Sequence, residues 1–408
     1  MPDKYNPFRP DKIMPPGMFA GRLDEINYIN GCLRQGRFGN PKHFMLIGER
    51  GIGKSSLILL TKFLAEGNIH LTDQKNDYKY LVISVALRRE DSFLNIIARI
   101  SRQLKKECDQ RHDAFGNLVF KALEIVSRFE AAGVKYNHAP RAVEEEAFAS
   151  LQDDIELALL KAGDTIDGVL ILIDEADAPP AEAGLGLLCK LLTEELAKRQ
   201  MDRVCIGLAG LPQLPQKVLE SHESALRLFH IMTLRPLEPA ERTMVLDIGL
   251  QEANRHNPIP TSISPDAASA IAEYSEGYPH FLQEFAYCAF EEDSDGTIDR
   301  SDFIQSLLSE NGAFDQLGAK YFDRPYNTPS SDDYRRVLHA MSEVMDDWSS
   351  RAELIERTGL KGGTVDNALR ALKKQDIIVQ DEARAGQYRL PTRSFAAWIN
   401  IRKRAEQE

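Results

Sequence analysis

The segment from Gly48 to Ser55 reads GERGIGKS and directly follows the apolar run HFMLI. This spacing, G-x-x-x-x-G-K-[ST], is typical of a strand-to-helix loop whose backbone N–H groups surround phosphate oxygens. Lys54 supplies a positive charge, and the following helix directs its N-terminal dipole at the anion. The pattern therefore predicts a nucleoside triphosphate site in an α/β fold. The predicted binding residues of this loop are Gly48, Glu49, Arg50, Gly51, Ile52, Gly53, Lys54, Ser55 and Ser56.

A second segment supplies carboxylates for the same site. The apolar run VLILI at 169–173 leads directly into Asp174 and Glu175. An uninterrupted apolar run that ends in acids is typical of a central parallel strand at its functional edge. We expect Asp174 and the Ser55 hydroxyl to bind Mg²⁺, and Glu175 to orient and deprotonate an attacking water. Together the two segments predict ATP hydrolysis.

The pattern of apolar segments predicts five strands separated by helices. They are His43–Gly48, Tyr80–Leu87, Val169–Asp174, Val204–Ala209 and His230–Leu237. Strands that alternate with helices predict a doubly wound parallel sheet with the nucleotide at the carboxyl ends of the strands. Between the second and third strands, residues 91–166 are predicted to form a helical insertion with a less regular piece near Ala132–Arg141.

The remaining sequence divides into further predicted domains. We expect the nucleotide-binding core to occupy 1–238, a four-helix lid 239–310, a linker 311–332 and a third domain 333–408. The third domain has helices at Tyr334–Met345, Arg351–Thr358 and Thr364–Lys374, followed by two short strands around a polar tip. This order resembles a winged helix-turn-helix domain.

The third helix of that domain and its wing carry the residues that would contact DNA. These are Lys361, Thr364, Asn367, Arg370, Lys374, Arg384 and Arg389. Residues 349–408 contain 12 Lys and Arg against 8 Asp and Glu, a local excess of 4 positive charges. This excess permits DNA binding but does not establish it, because several acidic residues dilute the field. The alternative is a protein contact made by the same domain. The final helix, Phe395 to Arg404, is predicted to pack on the wing.

Composition limits the other function classes. The net charge of −12 restricts any nucleic-acid contact to a local surface. No apolar stretch approaches the length needed to span a bilayer, and no signal peptide is visible, so we expect a cytoplasmic protein. The five cysteines lack CxxC spacing, which predicts neither a zinc site nor a disulfide framework. They are Cys32, Cys108, Cys189, Cys205 and Cys288.

The order of motifs along residues 17–310 resembles the AAA+ ATPases, in the initiator and transposition-regulator branch that grades into the STAND ATPases. The motifs are GMFAGRLDEI, GERGIGKS, ILIDEAD, AGLPQL, ALRLFHIMTLRPL and EGYPHFLQE. The resemblance implies that the entry segment lies against the adenine, with contacts from Phe19, Gly21 and Arg22. A simple N-terminal turn is the alternative for this short segment.

The resemblance also implies a role for an arginine before the fifth strand. Arg227 occupies the place of the arginine finger that reaches a neighbouring subunit's nucleotide, and Arg235 is the lesser candidate. An internal salt bridge is the alternative for Arg227.

Many relatives place Asn, Ser or Thr after the fourth strand, but this chain has Ala209 and Gly210 there. In those relatives this residue positions water against the terminal phosphate. Here Gln213 is the nearest polar side chain, and an ordinary loop residue is the alternative for it.

In the segment EGYPHFLQE, Pro279 precedes His280, where AAA+ lids often carry an arginine that touches the phosphates. A histidine could still sense nucleotide, but it cannot make the permanent bidentate contact of arginine. STAND proteins keep Gly-x-Pro and lose that arginine, so this departure favours a switch over a fast motor. An ordinary helix-start residue is the alternative for His280.

Two classes of function fit these patterns. The first is an ATP-hydrolysing AAA+ regulator that forms homo-oligomers and contacts DNA through its C-terminal winged helix. The second is a STAND-type switch in antiviral defence or signalling, whose nucleotide state controls a protein effector. Both require ATP and Mg²⁺. DNA-stimulated turnover and an Arg227 that acts across subunits would distinguish the first class from the second.

Overall fold

The chain folds into two units in a computed structural model that describes residues 4–71, 77–110, 121–131, 140–329, 331–345, 347–381 and 384–405. The core unit is Ile13–Arg235. The C-terminal unit is Pro236–Glu408 together with Met1–Lys12, so the chain passes between the units twice. In the part of the chain that the structure describes, no helix has the length and apolarity that crossing a membrane would require.

The core unit contains the predicted five-stranded parallel sheet, in the order β2-β3-β4-β1-β5. The strands are β1 (His43–Ile47), β2 (Tyr80–Ala86), β3 (Gly168–Asp174), β4 (Val204–Gly210) and β5 (Phe229–Thr233). The α-helices among the described residues of this unit are α1 (Leu23–Arg37), α2 (Lys54–Ala65), α3 (Phe93–Gln110), α4 (Lys121–Ala131), α5 (Arg141–Ala162), α6 (Leu185–Lys198) and α7 (Leu214–Ser221). Four strands agree with prediction to within one residue at each end. The fifth is shorter than predicted, and Arg235 lies beyond its end.

The central strands are buried on both faces, which explains their continuous apolar sequences. Phe44 of β1 pairs with Gly207 of β4 and with His230 of β5. A Cβ atom on Gly207 would lie 2.3 Å from the Phe44 ring, so only glycine allows this ring to pack across β4. The burial of β1 between β4 and β5 fixes the point at which the loop after β1 begins.

The described residues of the predicted insertion between β2 and β3 include α3, α4 and α5, whose apolar faces join the core of the unit. Arg99 of α3 makes a bidentate pair with the buried carboxylate of Asp91, at 2.8 and 3.0 Å. The Arg88 N–H also donates to Asp91, at 2.7 Å. These bonds fix the turn by which the chain leaves β2. Most of the predicted irregular piece, residues 132–139, lies outside the described residues.

The C-terminal unit begins with four helices in the predicted region, α8 (Pro239–His256), α9 (Pro265–Tyr274), α10 (Pro279–Glu292) and α11 (Arg300–Leu308). The short parallel strands β6 (Ser262–Ile263) and β7 (Thr297–Ile298) join two of the loops. The N-terminal segment packs on these helices. Phe8 is buried with its ring 6.2 Å from that of Phe290, and the Lys4 ammonium is 2.9 Å from Asp293.

The stretch predicted as a linker, 311–332, is helical over much of its length. It contains α12 (Ala313–Leu317), a π-helical turn at Gly318–Phe322 and α13 (Asp323–Asn327). The last helix, α17 (Arg393–Ala405), stacks Phe395 on Phe322 and packs Trp398 against Tyr326. The aromatic side of α17 therefore packs on this stretch, whereas the sequence predicted packing on the wing.

The helices α14 (Asp332–Ser342), α15 (Arg351–Thr358) and α16 (Gly362–Lys374) pack against one another in the C-terminal unit. Three short antiparallel strands accompany them in the order β8-β10-β9, namely β8 (Ser349–Ser350), β9 (Val379–Gln380) and β10 (Gln387–Arg389). Helix α14 begins and ends earlier than its predicted range, Tyr334–Met345. Gly359, at φ +65°, ends α15 and turns the chain toward α16.

The buried His43 should make the core unit less stable as the pH falls. Burial lowers the pKa of His43 to about 4 from its ordinary 6.5, and its Nδ1 accepts the Ile206 N–H at 3.0 Å. The unfolded chain therefore binds a proton first as the pH falls, so this contribution is complete above pH 6.5 and is lost toward pH 4. Between pH 7 and pH 5 the loss should be about 2 kcal/mol.

Urea unfolding of the wild type and of His43→Gln at both pH values checks this prediction. A glutamine amide can accept the Ile206 N–H but does not titrate. Carboxylates titrate equally in both proteins, so the difference between their acid losses isolates His43. Equal losses would contradict the assignment of a neutral buried imidazole.

Candidate functional site

The loop after β1 has the backbone that its glycines predict. Gly51 and Gly53 have φ values of +75° and +99°, in the left-handed region that favours glycine. A Cβ atom on Gly48 would lie 2.9 Å from the Ile52 side chain and 3.2 Å from the Leu234 carbonyl oxygen. The loop therefore forms a tight concave turn at the N-terminus of α2, a twelve-residue helix with Gly53 as its N-cap. Such a turn fits a phosphate group.

The Lys54 ammonium lies within this loop. Its Nζ donates to the carbonyl oxygens of Gly48 and Glu49 at 2.8 and 2.9 Å. Burial lowers the pKa of Lys54, while the carboxylates of Asp174, Glu175, Asp177 and Glu49 act in the opposite direction. The Lys54 ammonium is therefore held within the loop, where the carboxylates at and after the end of β3 act on it.

Ser55 and Asp174 have the donor chemistry that Mg²⁺ prefers, a hydroxyl and a carboxylate oxygen. Asp174 ends β3, and its Oδ1 accepts the Glu175 N–H at 2.9 Å. No hydrogen bond engages the Ser55 hydroxyl in the described part of the chain. Ser55 and Asp174 are thus the residues that would hold a magnesium ion, which stays a prediction.

Glu175 has a conformation that is uncommon for a residue with a side chain. Its φ is +51°, and the residue is exposed. The Leu87 N–H donates to the Asp174 carbonyl, and the Ala176 N–H donates to that of Ala209, at 3.0 and 2.8 Å. These bonds, one to the residue after β2 and one to β4, hold the backbone on both sides of Glu175. Strained backbone of this kind persists where neighbouring structure holds it, and it is common at functional sites.

The entry segment contacts the phosphate loop and its helix. Arg22, at φ +63° and 7% exposed, donates from Nη2 to the Ile52 carbonyl at 3.1 Å. The Met14 N–H donates to the Ser56 hydroxyl at 3.1 Å. Phe19 follows the turn Pro16–Met18, and Gly21 has φ +76°. The adenine contacts expected of Phe19, Gly21 and Arg22 stay predictions.

Arg227 lies in a single 3₁₀ turn, Ala225–Leu228, just before β5. The residue is exposed, and no ion pair engages it among the residues described. The alternative of an internal salt bridge is therefore disfavoured. An exposed guanidinium at this place is free to contact a partner, as the finger role requires.

Pro279 and His280 begin α10 in the C-terminal unit. His280 donates from Nδ1 to the Pro10 carbonyl at 2.8 Å, because that oxygen can only accept, and its Nε2 is 3.8 Å from Glu284 Oε2. Burial lowers the pKa of His280, and Lys320 acts in the same direction. The imidazole is therefore neutral and engaged within its own unit near pH 7. Its predicted role as a nucleotide sensor stays a prediction.

The residues predicted to contact DNA lie at the N-cap of α16, along that helix, and in or beside the short sheet. Lys361, Asn367, Arg370 and Lys374 are exposed, and Thr364 is half-buried. Arg384 is exposed and 3.4 Å from Asp381, whereas the Arg389 guanidinium lies 5.1 Å from the Trp348 ring centre. Arg389 is thus engaged with an aromatic ring, and the strongest cationic candidates are those on α16.

The motif ILIDEAD ends in Asp177, a residue for which the sequence alone indicates no role. Asp177 is 4% exposed and accepts hydrogen bonds from Leu211 and Gln213, at 2.8 and 2.9 Å. Lys217 donates to the carbonyls of Asp177 and Pro179 at 2.6 and 3.0 Å. The only sequence signal was an acid three residues after Asp174, which does not reveal a partner in another loop.

Comparison with known protein families finds a match to part of the core unit. Residues 18–206 match the sequence profile of the family described as AAA ATPase domain. No curated protein matches the sequence significantly.

Two of the solved structures that match illustrate a similarity over nearly the whole chain. One is a Walker-type ATPase of Pyrococcus abyssi, at 15% identity and TM-score 0.54, covering 94% of this chain and 96% of its own. The other is the Aeropyrum pernix ORC2 protein, solved as ADPNP and ADP complexes, at 14% identity and TM-score 0.57, covering 98% of each chain. At these identities the likeness shows the fold alone, an α/β domain with a five-stranded parallel sheet followed by a helical region.

The loop geometry predicts the effect of removing its cation. Lys54→Ala should weaken ATP binding about 100-fold, because losing a charged donor to a charged group costs about 3 kcal/mol. Lys62→Ala is the matched control, since Lys62 lies on the same helix and pairs with Glu66 and Glu107. Isothermal titration calorimetry with ATP and Mg²⁺ measures both variants. Equal affinity of Lys54→Ala and wild type would contradict the phosphate-loop assignment.

Proposed function

We propose that this protein binds ATP with Mg²⁺ and hydrolyses it slowly, in an assembly whose turnover a partner stimulates. The observation that carries the proposal is the concave loop at Gly48–Ser55 facing the carboxylates at the end of β3. The AAA ATPase match over residues 18–206 supports it. So does the similarity in fold to a Walker-type ATPase and to a protein solved with ADPNP and ADP.

In this proposal, Lys54 and the loop N–H groups bind the phosphates, while Ser55 and Asp174 hold Mg²⁺. The metal ion would neutralise charge on the outer phosphates. Glu175 takes a proton from the attacking water. The water oxygen then bonds to the terminal phosphorus as the bond to the bridging oxygen breaks, which releases phosphate and ADP.

Glu175→Gln tests the role of the base. The variant should bind ATP as the wild type does and hydrolyse it about 100-fold more slowly, because a positioned general base contributes about that factor or more. Glu182→Gln, an exposed carboxylate in the loop that follows, is the matched control. Single-turnover phosphate release and ATP affinity are measured together. Turnover at the wild-type rate in Glu175→Gln would remove Glu175 from this role.

We further propose that Arg227 acts on the nucleotide of a neighbouring subunit in a homo-oligomer. Its exposure, without an ion pair among the described residues, supports this role. Arg227→Ala should lower the turnover of assembled protein about 1,000-fold without changing its melting temperature, the scale known for arginine fingers. Arg34→Ala, an exposed arginine of α1, is the control.

Mixing variants tests the action across subunits. Glu175→Gln subunits keep the arginine and lack the base, while Arg227→Ala subunits keep the base and lack the arginine. Mixed oligomers should therefore regain turnover at sites that combine the two. Failure to regain any turnover at every mixing ratio would contradict action across a subunit boundary.

DNA is the partner that the C-terminal unit favours. We propose that α14, α15, α16 and the short antiparallel sheet form a winged helix domain, with α16 as the helix that contacts DNA. The exposed Lys361, at the N-cap of α16, and the exposed Arg370 and Lys374 on that helix support this proposal. Each phosphate contact releases counterions, so binding should weaken steeply as salt rises.

A switch that acts on a protein effector is the second candidate. It is favoured by Glu276, which precedes the Gly-x-Pro turn at φ +48° and accepts the Arg393 N–H at 2.5 Å. Arg393 also pairs with Glu273 at 3.0 Å. The turn before α10 is thus bonded to the start of α17, so a change in one would reach the other.

One experiment separates the two candidates. ATP turnover and particle mass are measured with and without duplex DNA at two salt concentrations, for the wild type and for a Lys361→Ala, Arg370→Ala, Lys374→Ala variant. Salt-sensitive stimulation by DNA that the triple variant loses supports the DNA-associated regulator. Bound ATP with turnover indifferent to DNA would contradict it and favour the protein effector.

A further inference from the structure

The buried carboxylate of Asp177 joins two loops at the carboxyl edge of the sheet. Asp177 lies in the turn after β3 and is 4% exposed. Its Oδ1 accepts the Leu211 N–H at 2.8 Å, and its Oδ2 accepts a hydrogen from Gln213 Nε2 at 2.9 Å. Both donors belong to the loop that follows β4. A buried carboxylate requires such partners, because a buried charge without them is costly.

The last residue of β4 is a glycine, which leaves room for this carboxylate. A Cβ atom on Gly210 would lie 2.7 Å from Asp177 Oδ1, so only glycine admits the carboxylate at this point. The Lys217 ammonium holds the backbone of the same turn through the carbonyls of Asp177 and Pro179. The turn after β3 and the loop after β4 are therefore held together by both side-chain and main-chain groups.

The bond to Asp177 also fixes which way the Gln213 amide faces. An ionised carboxylate can only accept hydrogen bonds, so the NH₂ group of Gln213 must point toward it. The amide oxygen Oε1 is then directed away from Asp177. Gln213 is an exposed residue, so this oxygen is available as an acceptor at the edge of the sheet.

The position of β4 places this loop between the two halves of the nucleotide site. In the sheet, β4 lies between β3, which ends in Asp174, and β1, which leads into the phosphate loop. The Gly48 N–H donates to the Gly210 carbonyl at 3.3 Å. Asp177 is also among the carboxylates whose charge acts on Lys54. The Asp177 pair thus belongs to the same edge as Glu175 and Lys54.

We infer that Asp177 is a positioning residue that holds Gln213 so that its amide oxygen accepts a hydrogen from the attacking water beside Glu175. This inference rests on the ATPase function proposed above. Asp177 keeps the amide in one orientation, and Gln213 contacts the water. The water then gives its other proton to Glu175 as it attacks.

The first test reverses the polarity of the Asp177 partner. Asp177→Asn keeps an oxygen for the Leu211 N–H but turns an NH₂ group toward Gln213, which must then flip and point its own NH₂ at the water. The kcat should fall about tenfold, the value of one positioned hydrogen bond, with ATP affinity unchanged within about twofold. Gln213→Ala should show the same fall in kcat.

Two double variants separate positioning from general stabilisation. If Asp177 acts through Gln213, Asp177→Asn with Gln213→Ala should be no slower than Gln213→Ala alone. Asp177→Asn with Gln213→Glu should regain activity relative to Asp177→Asn, because the asparagine NH₂ can donate to a carboxylate whose second oxygen accepts from the water. Gln216→Ala is the matched control, since this exposed amide on α7 pairs with Glu220.

The results of these experiments separate a failure of the proposed ATPase function from a failure of the role inferred for Asp177 and Gln213. A wild type that binds ATP but never hydrolyses it overturns the proposed function and this inference with it. A wild type that hydrolyses ATP while Gln213→Ala matches Gln216→Ala overturns this inference alone. Additive losses in the double variant also overturn it. If Asp177→Asn fails to fold, Gln213→Ala and Gln213→Glu decide, because the exposed Gln213 side chain can be changed without disturbing the core.

Discussion

The burial of β1 between β4 and β5 is the constraint on which the site depends. Parallel ladders on both sides fix where β1 ends, and the chain must leave this point through a turn with left-handed residues. Gly51 and Gly53 allow that turn, and α2 then begins at Lys54. The same ladder order brings the ends of β3 and β4 to the edge at which the loop lies. A phosphate loop and two acidic or polar loops are thereby placed together by backbone pairing alone.

Much of the fold could be predicted because its signals are local. Buried parallel strands are continuous apolar runs, and G-x-x-x-x-G-K-[ST] marks a strand-to-helix turn wherever it occurs. The sequence predicts β5 too long because the apolar residues Leu234 and Leu237 follow its end. The Leu234 N–H still bonds to Ile47 at 2.8 Å, but β1 ends there, and Pro236 has no N–H to continue a ladder. The length of a neighbouring strand is not visible in the sequence of β5.

The segment 311–332 shows how tertiary packing overrides local signals. Gly318 and Pro325 indicate loop, and no single stretch is long enough to show helical periodicity. The structure nevertheless makes helical turns there, because Phe314, Phe322 and Tyr326 are buried. A Cβ atom on Gly318 would lie 2.6 Å from Trp398, a residue 80 positions later. Glycine is needed there for a contact that no local pattern predicts.

The pairing of Asp177 with Gln213 shows where sequence reasoning ends within the site. Asp174 and Glu175 are recognised from the strand that they terminate, but Asp177 acquires its role only because β3 and β4 are neighbours in the order β2-β3-β4-β1-β5. Thirty-five residues lie between Asp177 and Gln213 along the chain, and they include the whole of α6. The chain has no Asn, Ser or Thr directly after β4, but the carboxyl edge of the sheet still carries a polar group there. A carboxylate from one loop and an amide from the next supply it together, and Gly210 is the residue that lets them meet.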